Sequence, residues 1–291
     1  MTAGVFAVVV AYGPDPDALA ALCARLLSSA QVVVVDNSPV EKAPQAVAGT
    51  YWLSMGGNAG IAAAQNAGIR VALARGAEVL AFFDQDSTPD EQLLPSLVAA
   101  LGQPPRGVAA PVCIDMRTGA EYPPYRFNRW GWARPAPAAG LPAPVEADLI
   151  ISSGSVAAAE VFARAGLMDE DFFIDYVDLE WCIRCRQAGI PIRVVPSVTM
   201  LHAIGNEVVE NGPLTTFVHS PARGYYRLRN AVLLIRMPHV PRLYALHEVA
   251  AALLHHLLQW RHSQDRGQHA RFGWRGLIDG LRGVRGKFEP T

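Results

Sequence analysis

The sequence predicts an α/β fold, a mixed and mainly parallel sheet flanked by helices, with a helical region at the C-terminal end. Three observations predict it. Short apolar runs recur at Val5–Val10, Gln31–Val35 and Val79–Phe83; helical patterns separate them; and the second and third end at once in Asp36-Asn37 and Asp84-Gln85-Asp86. Apolar strands alternating with helices make βαβ units whose sheet is covered on both faces. Such sheets gather binding groups where their strands end.

Taken in order, Val5–Val10 is the first strand, and Pro16–Leu27 places Leu19, Leu22, Cys23, Leu26 and Leu27 on one helical face. Gln31–Val35 is the second strand and the Ala-rich stretch Ile61–Arg75 the second helix. Val79–Phe83 then leads to a helix over Pro89–Leu101, with Ser87 and Thr88 placed to cap it. From Arg117 to Pro144, Pro, Gly and aromatic residues dominate, which predicts a long loop or hairpin insertion. Regular structure resumes at Ala147–Ile151, followed by helices at Ala158–Ala165 and Leu179–Ala188 and a strand at Ile192–Val195. From about Tyr225 the chain reads as helical and carries two basic blocks, Tyr225–Asn230 and Arg261–Lys287. The expected organisation is residues 1–215 as one catalytic domain, with halves at about 1–110 and 145–215, and residues 216–291 as a helical, basic region.

Composition narrows the function. Half of the 291 residues are hydrophobic and 18% are charged, as in an ordinary folded protein. A net charge of -1 gives no basic field for nucleic acid. Four scattered cysteines form no disulfide framework, and the start lacks a basic leader, so a cytoplasmic location is expected. The most apolar late stretch, Leu243–Trp260, is interrupted by His247, Glu248, His255 and His256, too polar for a span.

The strand ends supply the candidate chemistry. Asp84-Gln85-Asp86 follows the third apolar run, and two carboxylates two residues apart on a strand can share a hard cation. Asp36-Asn37 suits hydrogen bonds to a base or ribose, and equally an Asx turn. Gly56-Gly57-Asn58-Ala59-Gly60 opens a helix whose free N–H groups suit an anion or ribose, without the ending of a Walker loop. The stretch from Asp169 to Arg184 interleaves carboxylates with Phe172, Phe173, Tyr176 and Trp181. Partly buried carboxylates are candidates for a general base of raised pKa, while Asp175 or Asp178 would equally suit a helix cap. His202 follows a strand, where an imidazole could join Asp86 at a divalent metal.

In combination these segments resemble the family-two, inverting glycosyltransferases of the GT-A fold, and among them the bacterial rhamnosyltransferases. The carriers are Val35-Asp36-Asn37-Ser38, Gly57–Ala62 with Asn66–Ile69, Phe83–Ser87, Ser153-Gly154-Ser155, Phe173–Trp181 and His202. The resemblance implies that Asp36 and Asn58 contact the nucleoside, with Ala11 and Tyr12 beside the base. It implies Asp84 near the ribose or diphosphate, Asp86 and His202 on a Mg2+ or Mn2+ ion, and Asp178 as catalytic base. Ser153, Gly154, Asp175, Glu180 and Trp181 would line the acceptor or sugar pocket. Gln85 leans the donor toward dTDP-L-rhamnose rather than a UDP-sugar such as UDP-galactofuranose. The acceptor would be a saccharide or lipid-linked saccharide in cell-surface polysaccharide synthesis. The basic C-terminal region then has three possible partners: an anionic membrane surface, the catalytic domain itself, or a second copy in a homodimer.

Overall fold

A computed structural model describes residues 4–104, 106–116, 118–202, 208–211, 214–217, 220–263 and 265–289, with the side chains from 202 to 219 left aside. The first half runs β1 (Val5–Ala11), α1 (Pro16–Leu27), β2 (Gln31–Asp36), β3 (Tyr51–Ser54), α2 (Ile61–Ala74), β4 (Val79–Asp84), α3 (Leu93–Leu101) and β5 (Val108–Asp115). Four short strands follow: β6 (Glu121–Tyr122), β7 (Tyr125–Phe127), β8 (Ala133–Pro135) and β9 (Val145–Ala147). Then come β10 (Val156–Ala158), α4 (Ala159–Ala165), α5 (Val177–Gln187), β11 (Ile192–His202), β12 (Val208–Asn211) and β13 (Leu214–Phe217). Three helices close the chain: α6 (Pro221–Ile235), α7 (Arg242–His262) and α8 (Arg266–Arg282).

Among the described residues the main sheet runs β3-β2-β1-β4-β10-β5-β11-β9, with β6 also paired to β5. The β1–β2, β1–β4, β2–β3 and β5–β11 pairs are parallel, whereas β10 lies antiparallel between β4 and β5. β1 shows why the first run is continuously apolar. Phe6, Val8 and Val10 enter the core cluster that also holds α2 and α5 residues, while Val5, Ala7, Val9 and Ala11 enter the one that holds α1 and α3 residues. Period-two alternation thus feeds two apolar layers. Asp15 caps α1 by accepting from the Ala18 N–H at 2.9 Å, with Pro16 in the first helical position.

Several expectations move. The helix expected at Pro89 starts at Leu93, because Asp90 accepts from the Gln92 N–H and holds a turn, while the Ser87 hydroxyl bonds Ser153 instead of capping. The expected strand Ile192–Val195 continues to His202 after a register shift between Val195 and Thr199. The Pro-rich insertion contains the small β7–β8 hairpin. α6 and α7 contribute Leu228, Ala231, Leu234, Tyr244, Ala245 and Ala252 to the larger core cluster, so the C-terminal helices pack on the sheet domain.

Candidate active site

The carboxyl ends of β1, β2 and β4 form one rim, with Val10 opposite Asp84 and Ala11 opposite Asp36. Gln85 bridges this rim. Its Oε1 accepts from the Tyr12 N–H at 2.5 Å and its Nε2 donates to the Tyr12 carbonyl at 3.3 Å. The side-chain amide therefore continues the β1–β4 ladder beyond the last backbone pair.

At the end of β2 both readings of Asp36-Asn37 bear on the geometry. Asp36 is buried and its Oδ1 accepts from the Ser38 N–H at 3.0 Å, an Asx turn. Asn37 reaches the glycine-rich turn, accepting from the Ala59 N–H at 2.8 Å and donating to Asn58 Oδ1 and the Gly60 carbonyl, both at 3.3 Å. Gly60 sits at φ 90°, and a Cβ there would lie 2.7 Å from the Phe173 carbonyl oxygen. The Ile61 N–H donates to that same carbonyl at 2.7 Å. Only glycine permits this docking, which joins the turn before α2 to the acidic, aromatic segment.

That segment bends sharply before α5. Phe173, Asp175 and Tyr176 all have positive φ, 63°, 62° and 67°. Such conformations are costly outside glycine and concentrate at functional sites. The bend delivers Asp178 to the first turn of α5, where its Oδ1 accepts from the Leu179 N–H at 2.9 Å and the Ser152 N–H also donates to the carboxylate. The N-cap of α5 is Tyr176, without a side-chain cap bond, so Asp178 is not the cap but the second residue of the helix, and it lines a cavity. Burial, reinforced by the nearby Asp84 carboxylate, pushes its pKa up to about 6 despite these donors.

Asp84, Asp175 and Asp178 line one cavity of about 530 Å³, facing Arg223, Arg227 and Glu248. Arg223 grips Asp175 with its guanidinium fork at 3.0–3.2 Å. Gln65 Oε1 and Arg227 Nε, on the same walls, are buried without a hydrogen-bond partner among the described residues. Unpaired polar atoms in a polar cavity mark a place for a ligand or water.

The remaining sequence candidates fall into three groups. Ser153 supports the rim from below: its hydroxyl accepts from the Asp84 N–H at 3.3 Å and meets Ser87 Oγ at 3.1 Å, and Gly154 bonds to the Phe82 carbonyl beside it. Glu180 and Trp181 lie outside the cavity lining. Glu180 is buried against Arg184 (2.8 Å) and His239 (2.7 Å), and Trp181 stacks on Phe162 while its Nε1 donates to the Gly166 carbonyl. Successive helix residues turn by about 100°, so Asp178 and Glu180 must diverge. Asp86 is exposed past the end of β4, and its carboxylate has no partner among the described residues. His202 ends β11 opposite Asp115, with its side chain outside the described residues. The β10 and β5 strands lie between β4 and β11, roughly 14 Å of sheet, so Asp86 and His202 could converge only beyond the strand ends. Among the described residues no three His, Cys, Asp or Glu side chains cluster around a metal position. The oxygen-only rim of Asp84 and Asp86 suits a hard divalent cation.

Sequence reasoning missed Gln65, Arg223, Arg227 and Glu248. The basic, aromatic block Tyr225–Asn230 was a visible signal, but nothing in it indicates that α6 packs on the bend at residues 171–175.

Comparison with known proteins agrees with this architecture. Residues 7–141 match the glycosyl transferase family 2 model. Over 98% of its length the chain is 37% identical to a Shigella flexneri protein named dTDP-rhamnosyl transferase RfbF, of which it covers 98%. The chain belongs to glycosyltransferase family 2. Solved glycosyltransferases share the GT-A fold at low identity. GalNAc-T7 with UDP, GalNAc and Mn2+ superposes with a TM-score of 0.60 at 12% identity over 96% of this chain, which spans 56% of that protein. S. aureus TarS 1-349 with UDP-GlcNAc gives 0.58 at 15% identity, over 96% of this chain and 81% of that one. As a family 2 glycosyltransferase, the chain uses a nucleotide-sugar donor and a saccharide acceptor. No helix among the described residues is long and apolar enough to cross a membrane.

Proposed function

We propose that this glycosyltransferase moves L-rhamnose from dTDP-L-rhamnose to a hydroxyl of a saccharide or lipid-linked saccharide, with inversion and with Asp178 as general base. The observation that carries the reading is a carboxylate of raised pKa sharing a cavity with Asp84 at the end of β4. The rhamnosyl donor is supported by near full-length similarity to the Shigella flexneri enzyme.

In this reading Asp36, Asn58, Ala11 and Tyr12 hold the nucleoside at the rim, and Gln85 fixes Tyr12 there. Asp84 faces the ribose or diphosphate, while Asp175 and Ser153 shape the sugar pocket. Asp178 takes the proton of the acceptor hydroxyl as its oxygen forms a bond to the anomeric carbon. The bond to the departing dTDP breaks on the opposite face, so one displacement inverts the centre. Asp86, with His202, would hold a Mg2+ or Mn2+ ion, whose chemistry is to neutralise charge on the leaving diphosphate. Exposed Leu246, Leu253, Leu254 and Leu257 on α7, with Arg242 and Arg261 at its ends, support peripheral contact with an anionic membrane. Loss of liposome co-sedimentation in Leu253→Glu/Leu257→Glu is expected. Unchanged sedimentation removes the membrane from the proposal, and a dimer that this variant breaks assigns the face to a second copy.

A donor panel tests the central assignment. dTDP-L-rhamnose should support transfer to rhamnose- or N-acetylglucosamine-terminated alkyl glycosides well above UDP-galactofuranose or UDP-hexoses. Preference for a UDP-sugar would overturn the donor, and no transfer from any donor would favour a silent sugar-nucleotide-binding scaffold.

A further inference from the structure

The bend that presents Asp178 is held from outside itself. Phe173 (φ 63°, ψ -61°) and Tyr176 (φ 67°, ψ 0°) are bulky residues at positive φ, and neither favours that backbone. The main-chain carbonyls of Asp171, Phe172, Ile174 and Asp175 meet side chains of α6. There Asn230 Nδ2 donates to the carbonyls of Phe172 (2.9 Å), Ile174 (2.7 Å) and Asp175 (3.2 Å). Arg229 Nη2 donates to the carbonyls of Asp171 (2.9 Å) and Phe172 (3.0 Å), and its Nη1 to that of Gly286. The two side chains are also joined, with Arg229 Nε and Nη2 on Asn230 Oδ1 at 2.9 and 2.8 Å.

Both residues are fully buried. The oxygens that hydrogen-bond Arg229 are neutral: three carbonyls, the Asn230 amide and the Tyr225 hydroxyl. A buried guanidinium is costly, and an apolar residue would fill the same core more cheaply. Its use here is geometric: a rigid fork of donors fixes carbonyls that no side chain of the bend can satisfy. On the opposite side the bend rests on Gly60 and Ile61 through the Phe173 carbonyl. Asp175 is gripped by Arg223, seven residues before Asn230 and so on the same face of α6.

We infer that Arg229 and Asn230 are positioning residues that clamp the Asp171–Tyr176 bend and thereby set where Asp178 stands in the cavity. The inference rests on Asp178 as the base. It extends the site to a helix that lies beyond the family-matched residues 7–141. Through Gly60–Ile61, the clamp also ties the base to the nucleoside rim.

The test uses the full chain with Asn230→Ala, Arg229→Lys, Asp178→Asn and a control, Asp279→Asn. Asp279 joins Tyr225 and Arg275 in the α6–α8 seam and makes no hydrogen bond to the bend, so its loss loosens the seam while every donor of the clamp is kept. Turnover is read as dTDP release from dTDP-L-rhamnose with the best acceptor of the alkyl glycoside panel, alongside amide hydrogen exchange. Asn230→Ala and Arg229→Lys should lower kcat by about ten- to a hundredfold with donor KM nearly unchanged. Exchange should accelerate over residues 172–180 and 61–66 and stay slow in β1 and β2, while Asp279→Asn keeps its kcat. Wild-type kcat and exchange in the clamp variants beside an inactive Asp178→Asn would overturn the clamp. Full turnover in Asp178→Asn would instead remove the base assignment, and exchange would still decide whether the bend is clamped. If Asn230→Ala does not fold, Arg229→Lys, which keeps the charge and loses the fork, carries the same readings.

Discussion

Asp178 is asked to do two opposed things. Its carboxylate accepts N–H groups at the start of its own helix, yet burial beside Asp84 makes the charged form expensive, and the balance pushes its pKa up to about 6. A base must be unprotonated to accept, so kcat/KM should fall on the acid side with an apparent pKa near 6, measured as a pH–rate profile. The same shift has a stability consequence of fixed sign. The folded pKa is raised above the unfolded value of 3.8, so the unfolded chain gives up this proton first. Stability therefore declines as pH rises from about 4 through about 6 and is flat above. Asp178→Asn should remove that cost and stabilise the protein by on the order of 1–3 kcal/mol at pH 7.5, seen as a higher Tm. Glu180, two residues on, should behave in the opposite way. Its carboxylate serves Arg184 and His239, so Glu180→Gln should cost about 1–3 kcal/mol of stability and leave the acid limb of the pH profile in place. The sequence pattern Asp-x-Glu-Trp gives the four residues a common address; helix geometry divides their work.

At the scale of elements, strands β1, β2 and β4 were legible as runs of buried β-branched or aromatic residues, two of which, β2 and β4, end abruptly in Asp. β5 was not, since Ala109, Ala110 and Pro111 dilute its apolar pattern although it is nearly all buried at the sheet centre. The edge strand β3 is four half-exposed residues, too short to show a period. Asp84 and Asp178, which share the cavity, were readable as candidates because each stands at an element boundary. Arg223, Arg229 and Asn230 were not, because the residues they hold in the bend lie 48–58 positions away and only the packing of α6 on the bend brings them there. That packing depends on close helix approach. A Cβ on Gly280 of α8 would lie 2.7 Å from Val232 Cβ and 2.9 Å from the Arg229 carbonyl oxygen. Gly280→Leu should therefore cost about 1–3 kcal/mol or more in urea denaturation, and lower turnover through the displaced α6.

Across the whole molecule, the sheet provides the rim proposed for the nucleotide, and Arg223, Arg227 and Glu248 of the C-terminal helices line the cavity with Asp84 and Asp178. The proposed base shares that cavity. α7 and residues near Gly286 complete the core and the clamp, so the C-terminal region is probed by surface substitution rather than by truncation. Removing divalent cations with a chelator should abolish transfer, and Mg2+ or Mn2+ should restore it; full activity in the chelated enzyme would exclude a required ion at Asp86 and His202. The most direct measurement compares Asp178→Asn with the unaltered chain in single-turnover transfer from dTDP-L-rhamnose, together with donor affinity by calorimetry. The expected result is donor binding within a small factor of the unaltered chain and turnover reduced about 10²–10⁴-fold. Near-normal turnover with intact donor binding would contradict the assignment of the base, and with it the proposed chemistry of the cavity.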